Sequence, residues 1–244
     1  MGIISGSDII STLVVARPTR SRVFDRLGID FCCGGKRSLE NACREQGLDV
    51  ARVIAVLVHD DATAEPTEVD LTGMSIAALC DHIESTHHAY LKQELPRLTG
   101  LIGTVARVHG ATHPWMIEID SVYQGFAMDL AQHMQKEELI LFPAIRALSR
   151  GQVACLPCGD SVAAPIAVML TEHEDAGAAL ARMHELSHGY TPPASACNTF
   201  LAALAGLQEL QADMHVHVHT ENNVLFERVL ASELRAGFCT AERR

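Results

Sequence analysis

Apolar residues recur along most of this chain at alternating steps of three and four positions, which places them on one face of an α-helix. The regular alternation of apolar and polar residues that marks a half-buried strand is nearly absent. Beyond residue 75 the pattern predicts four long helices, over about 75–108, 114–148, 161–187 and 193–234. We therefore expect an all-α protein whose main domain is a four-helix bundle.

The first 60 residues have a different pattern, in which short apolar stretches are separated by glycine, proline and capping residues. It predicts short helices at about 8–15, 18–27, 38–47 and 50–59. The stretch from Asp60 to Asp70 is polar, contains a proline and lacks apolar periodicity, which is typical of a linker. The predicted organisation is a small helical domain at 1–60, a linker at 61–74 and the bundle at 75–244.

Composition excludes several classes of partner. A net charge of −11 argues against nucleic acid, whose phosphates require clustered lysine and arginine, and no basic patch for anionic lipid is present. No stretch is apolar for the 18 or more residues that a membrane span needs, and residues 1–16 lack the basic start of a signal peptide. The eight cysteines are expected to be reduced thiols in the cytoplasm, because 48% hydrophobic residues can build a core without disulfides.

Two of the helical stripes carry histidine and glutamate where a core would normally be apolar. The stripe of the second helix is Ile119, Tyr123, Phe126, Leu130, His133, Glu137 and Ile140; that of the fourth is Leu207, Leu210, Met214, His217, Glu221 and Val224. Burying such polar groups without partners costs several kcal/mol. Coordination of a metal would remove that cost.

The two polar segments are copies of one pattern. They read His133-Met-Gln-Lys-Glu137-Glu-Leu-Ile-Leu-Phe142 and His217-Val-His-Thr-Glu221-Asn-Asn-Val-Leu-Phe226, and each places a histidine one helical turn before a glutamate. One such pair is also typical of a surface ion pair. Two copies with the same apolar tail, each preceded at a similar distance by a further histidine, predict a duplicated metal site.

The predicted ligands are four histidines and two glutamates: His88, His133, Glu137, His173, His217 and Glu221. Spacing favours His88 over His87, because apolar residues continue its stripe. Histidine and carboxylate without thiolate suit iron or manganese better than structural zinc. With two histidines for each metal and two bridging carboxylates, the set predicts a di-iron centre that has open positions for a small ligand.

Several polar residues near these ligands allow more than one role. Asp129 lies one turn before His133 and Glu172 adjoins His173, so either side chain could hydrogen-bond a ligand imidazole; an exposed helix charge is the alternative. His215 and His219 flank His217 by two positions and are expected to point away from its face.

Cysteines form two further motifs. Cys32 and Cys33 are adjacent and precede two glycines, and as thiolates they could bind iron, exchange disulfides or take up nitric oxide. A turn with two buried thiols is the alternative. Cys155 and Cys158 form a C-x-x-C pair, which fits either a redox pair or an inert loop.

The Asp30-Phe-Cys-Cys-Gly-Gly-Lys36 loop, followed by a bundle with Glu-Glu-Leu-Ile-Leu-Phe-Pro and Glu-Asn-Asn-Val-Leu-Phe, resembles the Repair of Iron Centres (RIC) family. These are hemerythrin-like di-iron proteins of bacterial nitric oxide and oxidative stress responses. The resemblance covers roughly residues 8–230 and implies the same six ligands, two iron ions and a homodimer. The Cys155–Cys158 loop and the tail after Leu230 depart from the family pattern and leave a role in nitric oxide binding open.

Three functions are compatible with these observations. The resemblance implies repair of damaged iron–sulfur or iron centres, by iron donation to the client and with Cys32 and Cys33 contacting it. A second hypothesis is a di-iron protein that binds nitric oxide or oxygen. A third, an enzyme that reduces nitric oxide or peroxide, is weakened because no flavin, rubredoxin or nucleotide motif supplies electrons. A non-enzymatic role is therefore favoured.

Overall fold

The computed structural model describes residues 4–63, 69–152 and 161–241, and the regular elements in those ranges are all helical. Within these ranges, Ile9 and Ser38 form an isolated antiparallel β-bridge. The chain divides into two compact units, one formed by Met1–Leu79 with His215–Arg244 and the other by Cys80–Met214. Among the described residues, no helix has both the length and the apolar character needed to cross a membrane.

Short helices fill the N-terminal part of the first unit, close to the predicted positions. They are α1 (Ile10–Ala16), α2 (Arg20–Leu27), α3 (Leu39–Glu45) and α4 (Val50–Thr63). The Ser38 hydroxyl accepts the backbone N–H of Asn41 and so caps α3, while Gly28 ends α2 with a φ of 65°. The Nη2 atom of Arg20 lies 2.6 Å from Oδ2 of Asp61, a buried ion pair that joins α2 to α4.

The four predicted long helices are present, and three of them contain a π-helical turn. The first comprises α5 (Ile76–Ile83), π1 (Glu84–His88) and α6 (Ala89–His109); the second comprises α7 (Trp115–Lys136), π2 (Glu137–Leu141) and α8 (Phe142–Ser149); the third is α9 (Ala163–Leu186); and the fourth comprises α10 (Asn198–Thr220), π3 (Glu221–Leu225) and α11 (Phe226–Ala241). The all-α, hemerythrin-like bundle is thus confirmed.

The π-turns change which residues face the core. A straight α-helix would place Ile140 on the stripe of Glu137, but Ile140 is 43% exposed and Leu141 is 2% exposed. Each π-turn closes hydrogen bonds from i to i+5 and so inserts one residue into the helical repeat. The prediction that Ile140 belongs to the core stripe is therefore wrong, because π2 moves that position to Leu141.

Candidate metal centre

Three of the six predicted ligands lie at the ends of π-turns. His88 is the last residue of π1, Glu137 is the first of π2 and Glu221 is the first of π3. Such single-turn π segments within α-helices occur frequently at functional sites, because the wider turn redirects a side chain. The sequence signal for the ligands, a histidine and a glutamate at i and i+4, therefore coincides with the local departure from α-helix.

All six predicted ligands are buried. Their exposed fractions are 3% or less, for His88, His133, Glu137, His173, His217 and Glu221. Ionisable side chains at this depth are costly unless partners or a metal compensate for lost hydration. The alternative of a surface ion pair for either His-x-x-x-Glu segment does not fit such burial.

Four of the ligands converge within the Cys80–Met214 unit. The Glu137 carboxylate lies between two imidazoles, since its Oε2 is 3.3 Å from Nε2 of His88 and 3.3 Å from Nε2 of His133. The Nε2 atoms of His133 and His173 are 3.1 Å apart. Glu137 is thus placed as a carboxylate shared by two ligand histidines, which is the arrangement a bridging ligand requires.

The remaining pair lies on α10 and π3, in the first unit. His217 Nε2 is 3.1 Å from Oε1 of Glu221, so the two side chains share one face of the helix. Leu210 and Met214 lie on the same face of α10 as His217, and they are 0% and 1% exposed. His217 and Glu221 therefore continue the buried stripe of their own helix, as predicted from the sequence.

Two of the predicted ligands, His88 in π1 and His133 in α7, also donate a hydrogen bond through their second ring nitrogen. Carboxylates carry no hydrogen at neutral pH, so His88 donates Nδ1–H to Oε1 of Glu138 (2.9 Å), and His133 donates Nδ1–H to Oε2 of Glu172 (2.8 Å). Both histidines are thereby fixed as the tautomer whose Nε2 carries a lone pair. The prediction that Glu172 can hydrogen-bond a predicted ligand imidazole is confirmed, with Glu172 as the acceptor. Asp129 is an exposed residue of α7, which agrees with the alternative of an exposed helix charge.

A lysine also hydrogen-bonds each of these two carboxylates. Lys92 Nζ lies 2.6 and 2.8 Å from the two carboxylate oxygens of Glu138, and Lys136 hydrogen-bonds Glu172. Burial alone would raise the pKa of both glutamates, but the hydrogen bonds from lysine and histidine outweigh it, and the pKa of each lies below its ordinary value. Sequence reasoning missed Glu138, Lys92 and Lys136, although Lys92 follows His88 by one turn on the same helical face.

The other nearby histidines are engaged elsewhere. His87 Nδ1 is 2.8 Å from Oδ1 of Asp213, and His215 Nδ1 is 2.5 Å from Oδ1 of Asp25. His219 donates Nδ1–H to the carbonyl of Phe31 (3.2 Å), and burial lowers its pKa to about 4. These contacts agree with the prediction that His215 and His219 point away from the face of His217. The choice of His88 over His87 as a ligand stays a prediction.

A cavity opens onto the ligands between α7 and α9. It has a volume of about 370 Å³ and is lined by His133 and His173 together with polar residues that include Asp129, Lys136, Glu172 and Asp175. A diatomic molecule or a hydrated ion is small enough for such a space. The cavity gives small molecules a route to these two predicted ligand histidines.

The donor set fits a transition metal such as iron. One ligand atom each from His133, Glu137 and His173 lies within 4.8 Å of the other two. Imidazole nitrogen and carboxylate oxygen, with no thiolate among them, form a borderline-to-hard set of the kind that iron and manganese accept. A cation at this point would also offset the charge of a carboxylate that is 0% exposed.

The adjacent cysteines lie on a loop of the first unit. Their Sγ atoms are 3.9 Å apart, which is two thiols and not a disulfide. Asp30 organises the loop, because its carboxylate accepts the backbone N–H groups of Cys32, Cys33 and Gly34. Hydrogen bonding with Cys33, burial and the charge of Asp30 all raise the pKa of Cys32. Cys155 and Cys158 lie outside the described residues.

The same loop packs on π3. Asn223 donates its side-chain N–H to the carbonyl of Cys32 (3.0 Å), and the next carbonyl toward the N-terminus, that of Phe31, accepts from His219. The Phe31 ring also contacts the imidazoles of His215 and His219 edge-on, with centroids 5.9 and 5.6 Å apart. The thiol loop is therefore bonded to the helical turn that begins with Glu221.

Two family models match the chain. Residues 6–61 match ScdA_N, described as a domain of unknown function (DUF542), and residues 79–229 match the hemerythrin HHE cation binding domain. The second match contains all six predicted ligands.

Curated relatives cover nearly the whole chain. The iron-sulfur cluster repair protein ScdA of Staphylococcus epidermidis is 31% identical over 227 residues, which is 93% of this chain and 99% of the relative. The iron-sulfur cluster repair protein YtfE of Pectobacterium carotovorum is 36% identical over 229 residues, 92% of this chain and 97% of the relative. A probable iron-sulfur cluster repair protein of Haemophilus influenzae is 35% identical over 222 residues, 91% and 96% of the two chains. With an N-terminal ScdA-type domain and a hemerythrin cation-binding domain in that order, the chain belongs to the Repair of Iron Centres family.

Proposed function

We propose that this protein holds two iron ions and helps to restore damaged iron–sulfur clusters by donating iron to them. The observation that carries the proposal is the shared position of Glu137 between His88 and His133, in a buried donor set without thiolate. The names of the relatives support repair as the function. We place the protein in the cytoplasm, where its reduced cysteines and its clients would be found.

The six ligands divide between two irons. His133 and His173 would bind one iron, because their Nε2 atoms lie 3.1 Å apart, which leaves His88 and His217 for the other. Glu137 and Glu221, the first residues of two π-turns, would bridge the pair. Iron is cargo in this proposal: ferrous ion leaves by exchange of imidazole and carboxylate for the ligands of the client.

Cys32 and Cys33 are proposed as the thiols that contact the client. Cys33 is partly exposed, whereas Cys32 is 8% exposed and has a raised pKa. Exchange would begin at Cys33, whose thiol would lose its proton as it binds ferrous ion. Because the loop is bonded to the π-turn that starts with Glu221, movement of the loop during this step would disturb an iron ligand directly.

The experiment follows iron itself. Protein loaded with ⁵⁷Fe is mixed with an apo iron–sulfur dehydratase, sulfide and a thiol reductant, and the client is re-isolated for Mössbauer spectroscopy and activity measurement. We expect ⁵⁷Fe to enter the client's cluster faster from the loaded protein than from an equal concentration of ferrous ion that is supplied in solution together with a chelator. Transfer no faster than from that free pool would contradict iron donation.

A second candidate function is reversible binding of nitric oxide or oxygen. The cavity of about 370 Å³ that reaches His133 and His173 is the observation that favours it. Under this alternative the iron stays with the protein while the gas binds and leaves. Stopped-flow spectra with nitric oxide, followed by measurement of retained iron, separate the two functions in one preparation.

A further inference from the structure

Two lysine–glutamate pairs in the Cys80–Met214 unit each hold a ligand histidine from its outer side. Glu138 accepts from His88 and from Lys92, and Glu172 accepts from His133 and from Lys136. In both cases a buried imidazole is connected through one carboxylate to one surface ammonium. The same three residue types recur although the two histidines lie on different helices.

Exposure rises in the same order along both connections. The His88 and His133 side chains are 0% and 4% exposed, those of Glu138 and Glu172 are 23% and 28%, and those of Lys92 and Lys136 are 55% and 44%. Each carboxylate therefore lies at the boundary between the buried donor set and solvent. A change at the surface lysine is two hydrogen bonds away from a ligand nitrogen.

We propose that Glu138 with Lys92, and Glu172 with Lys136, are positioning residues that set how readily each of the two irons is released, one pair for each iron. The inference rests on the di-iron site proposed above, in which His88 and His133 bind different irons. It adds a regulation of that site, because the lysine–glutamate pairs determine whether bound iron is available as cargo.

The physical basis is the donation of Nδ1–H to a carboxylate. Such a hydrogen bond fixes the ring orientation and the tautomer, and it makes Nε2 a stronger donor to a metal; its loss commonly lowers metal affinity 10- to 100-fold. The lysine contributes by restraining the carboxylate in place. Since exposed ion pairs are worth little, removing a lysine should have a smaller effect, up to about fivefold.

The test measures iron release. Protein loaded with iron is reduced and mixed with an excess of ferrozine, and the release is followed by absorbance after the iron content has been counted. The variants are Glu138→Gln, Glu172→Gln, both together, Lys92→Met and Lys92→Arg. Arg182→Met is the matched control, because Arg182 forms exposed ion pairs with Glu185 and Glu118 on the same unit.

The proposal predicts that each single glutamine variant releases about half of its iron 10- to 100-fold faster than wild type, and that the double variant releases all of it faster. Lys92→Met should accelerate one half by about 1.4- to 5-fold, Lys92→Arg should restore the slow rate, and Arg182→Met should match wild type. The midpoint potential of the affected iron should rise, since a weaker donor stabilises the ferric state less.

Three results would overturn it. Wild-type release rates in both glutamine variants would remove the positioning role. Equal acceleration of both irons by one substitution would show general loosening of the bundle and not one pair for each iron. If a glutamine variant does not fold, Lys92→Met decides the question, since its side chain is 55% exposed and wild-type release from it contradicts the proposal. Fewer than two irons in wild-type protein would refute the di-iron site, a failure that the initial count distinguishes.

Discussion

Replacing Glu137 with glutamine separates the metal-binding role of this residue from any role in folding. The side chain is 0% exposed, and its Oε2 lies 3.3 Å from Nε2 of both His88 and His133. Glutamine keeps the shape and the volume but removes the charge and one acceptor. The substitution should therefore weaken iron binding at both positions while leaving the packing of π2 intact.

The size of the effect follows from the shared position of the carboxylate. Loss of a residue that only orients a ligand costs 10- to 100-fold in affinity, so loss of a bridging ligand should cost at least about 100-fold. At fixed free iron this removes about 2.7 kcal/mol of the stabilisation that bound metal provides. For a chain of this length the melting temperature of the iron-loaded protein should fall by roughly 5–10 °C.

Without metal, the substitution should not lower the melting temperature. The amide replaces a buried charge among imidazoles, so the metal-free variant should melt at the same temperature as metal-free wild type or higher. Both predicted changes in melting temperature can be checked by thermal melts followed by circular dichroism, on iron-loaded and metal-free samples with iron counted in each. Glu185→Gln on the exposed surface is the control and should change neither melt. An equal fall in the loaded and metal-free forms would refute the ligand role of Glu137.

Three further predictions concern the thiol loop and its contacts. Changing Cys32 and Cys33 to serine should leave iron content unchanged, because no thiolate belongs to the donor set, while transfer of ⁵⁷Fe to an apo client should fall; unchanged transfer would exclude the loop from the mechanism. The pKa of Cys32 is raised above the ordinary value of 9.0, so little of its thiolate should form at pH 8. Iodoacetamide at pH 8 should therefore label Cys33 first, as read by peptide mass spectrometry. Cys32 should be labelled appreciably only at higher pH or after Asp30→Asn. His219→Ala should retain two irons but melt at a lower temperature, because His219 donates to Phe31 and does not face Glu221; loss of iron as severe as in the Glu137 variant would show that the helical face is misassigned.

The candidate ligand set could be identified from the sequence because its signal is local and repeated, and its binding of metal stays a prediction. A histidine and a glutamate one turn apart, on stripes that are otherwise apolar, require no knowledge of tertiary structure. The four residues chosen in this way are buried, and so are the two histidines chosen from their matching distance upstream. The preference for His88 over His87 followed from the same stripe. Glu172 was one of two candidates for hydrogen bonding to an imidazole because it adjoins His173, and it bonds His133 of the neighbouring helix.

What the sequence did not predict depends on tertiary geometry. The π-turn at Glu137 displaces Ile140 from the core stripe, and no residue type in Glu137–Leu141 distinguishes a π-turn from an α-helix. The contact of Lys92 with Glu138 joins two helices, so a search along one helix could not find it. The anchoring of the cysteine loop by Asn223 links residues nearly 200 positions apart.

The division of the chain is a further point on which local pattern and structure give different descriptions. The polar stretch after residue 60 predicts a boundary there, whereas the first compact unit also includes His215–Arg244. Contacts such as that of His215 with Asp25 join the C-terminal segment to the N-terminal helices of this unit. Linker composition identifies where a chain is polar but does not identify which distant segments return to pack on it.

The most direct test of the central claim is the metal content and the iron spectroscopy of the purified wild-type protein. Two irons for each chain, with a Mössbauer spectrum of two magnetically coupled sites and visible absorption in the ferric state, are predicted from four histidines and two shared carboxylates. One zinc for each chain, with no visible absorption and no coupled iron pair after reconstitution with ferrous ion, would contradict the account.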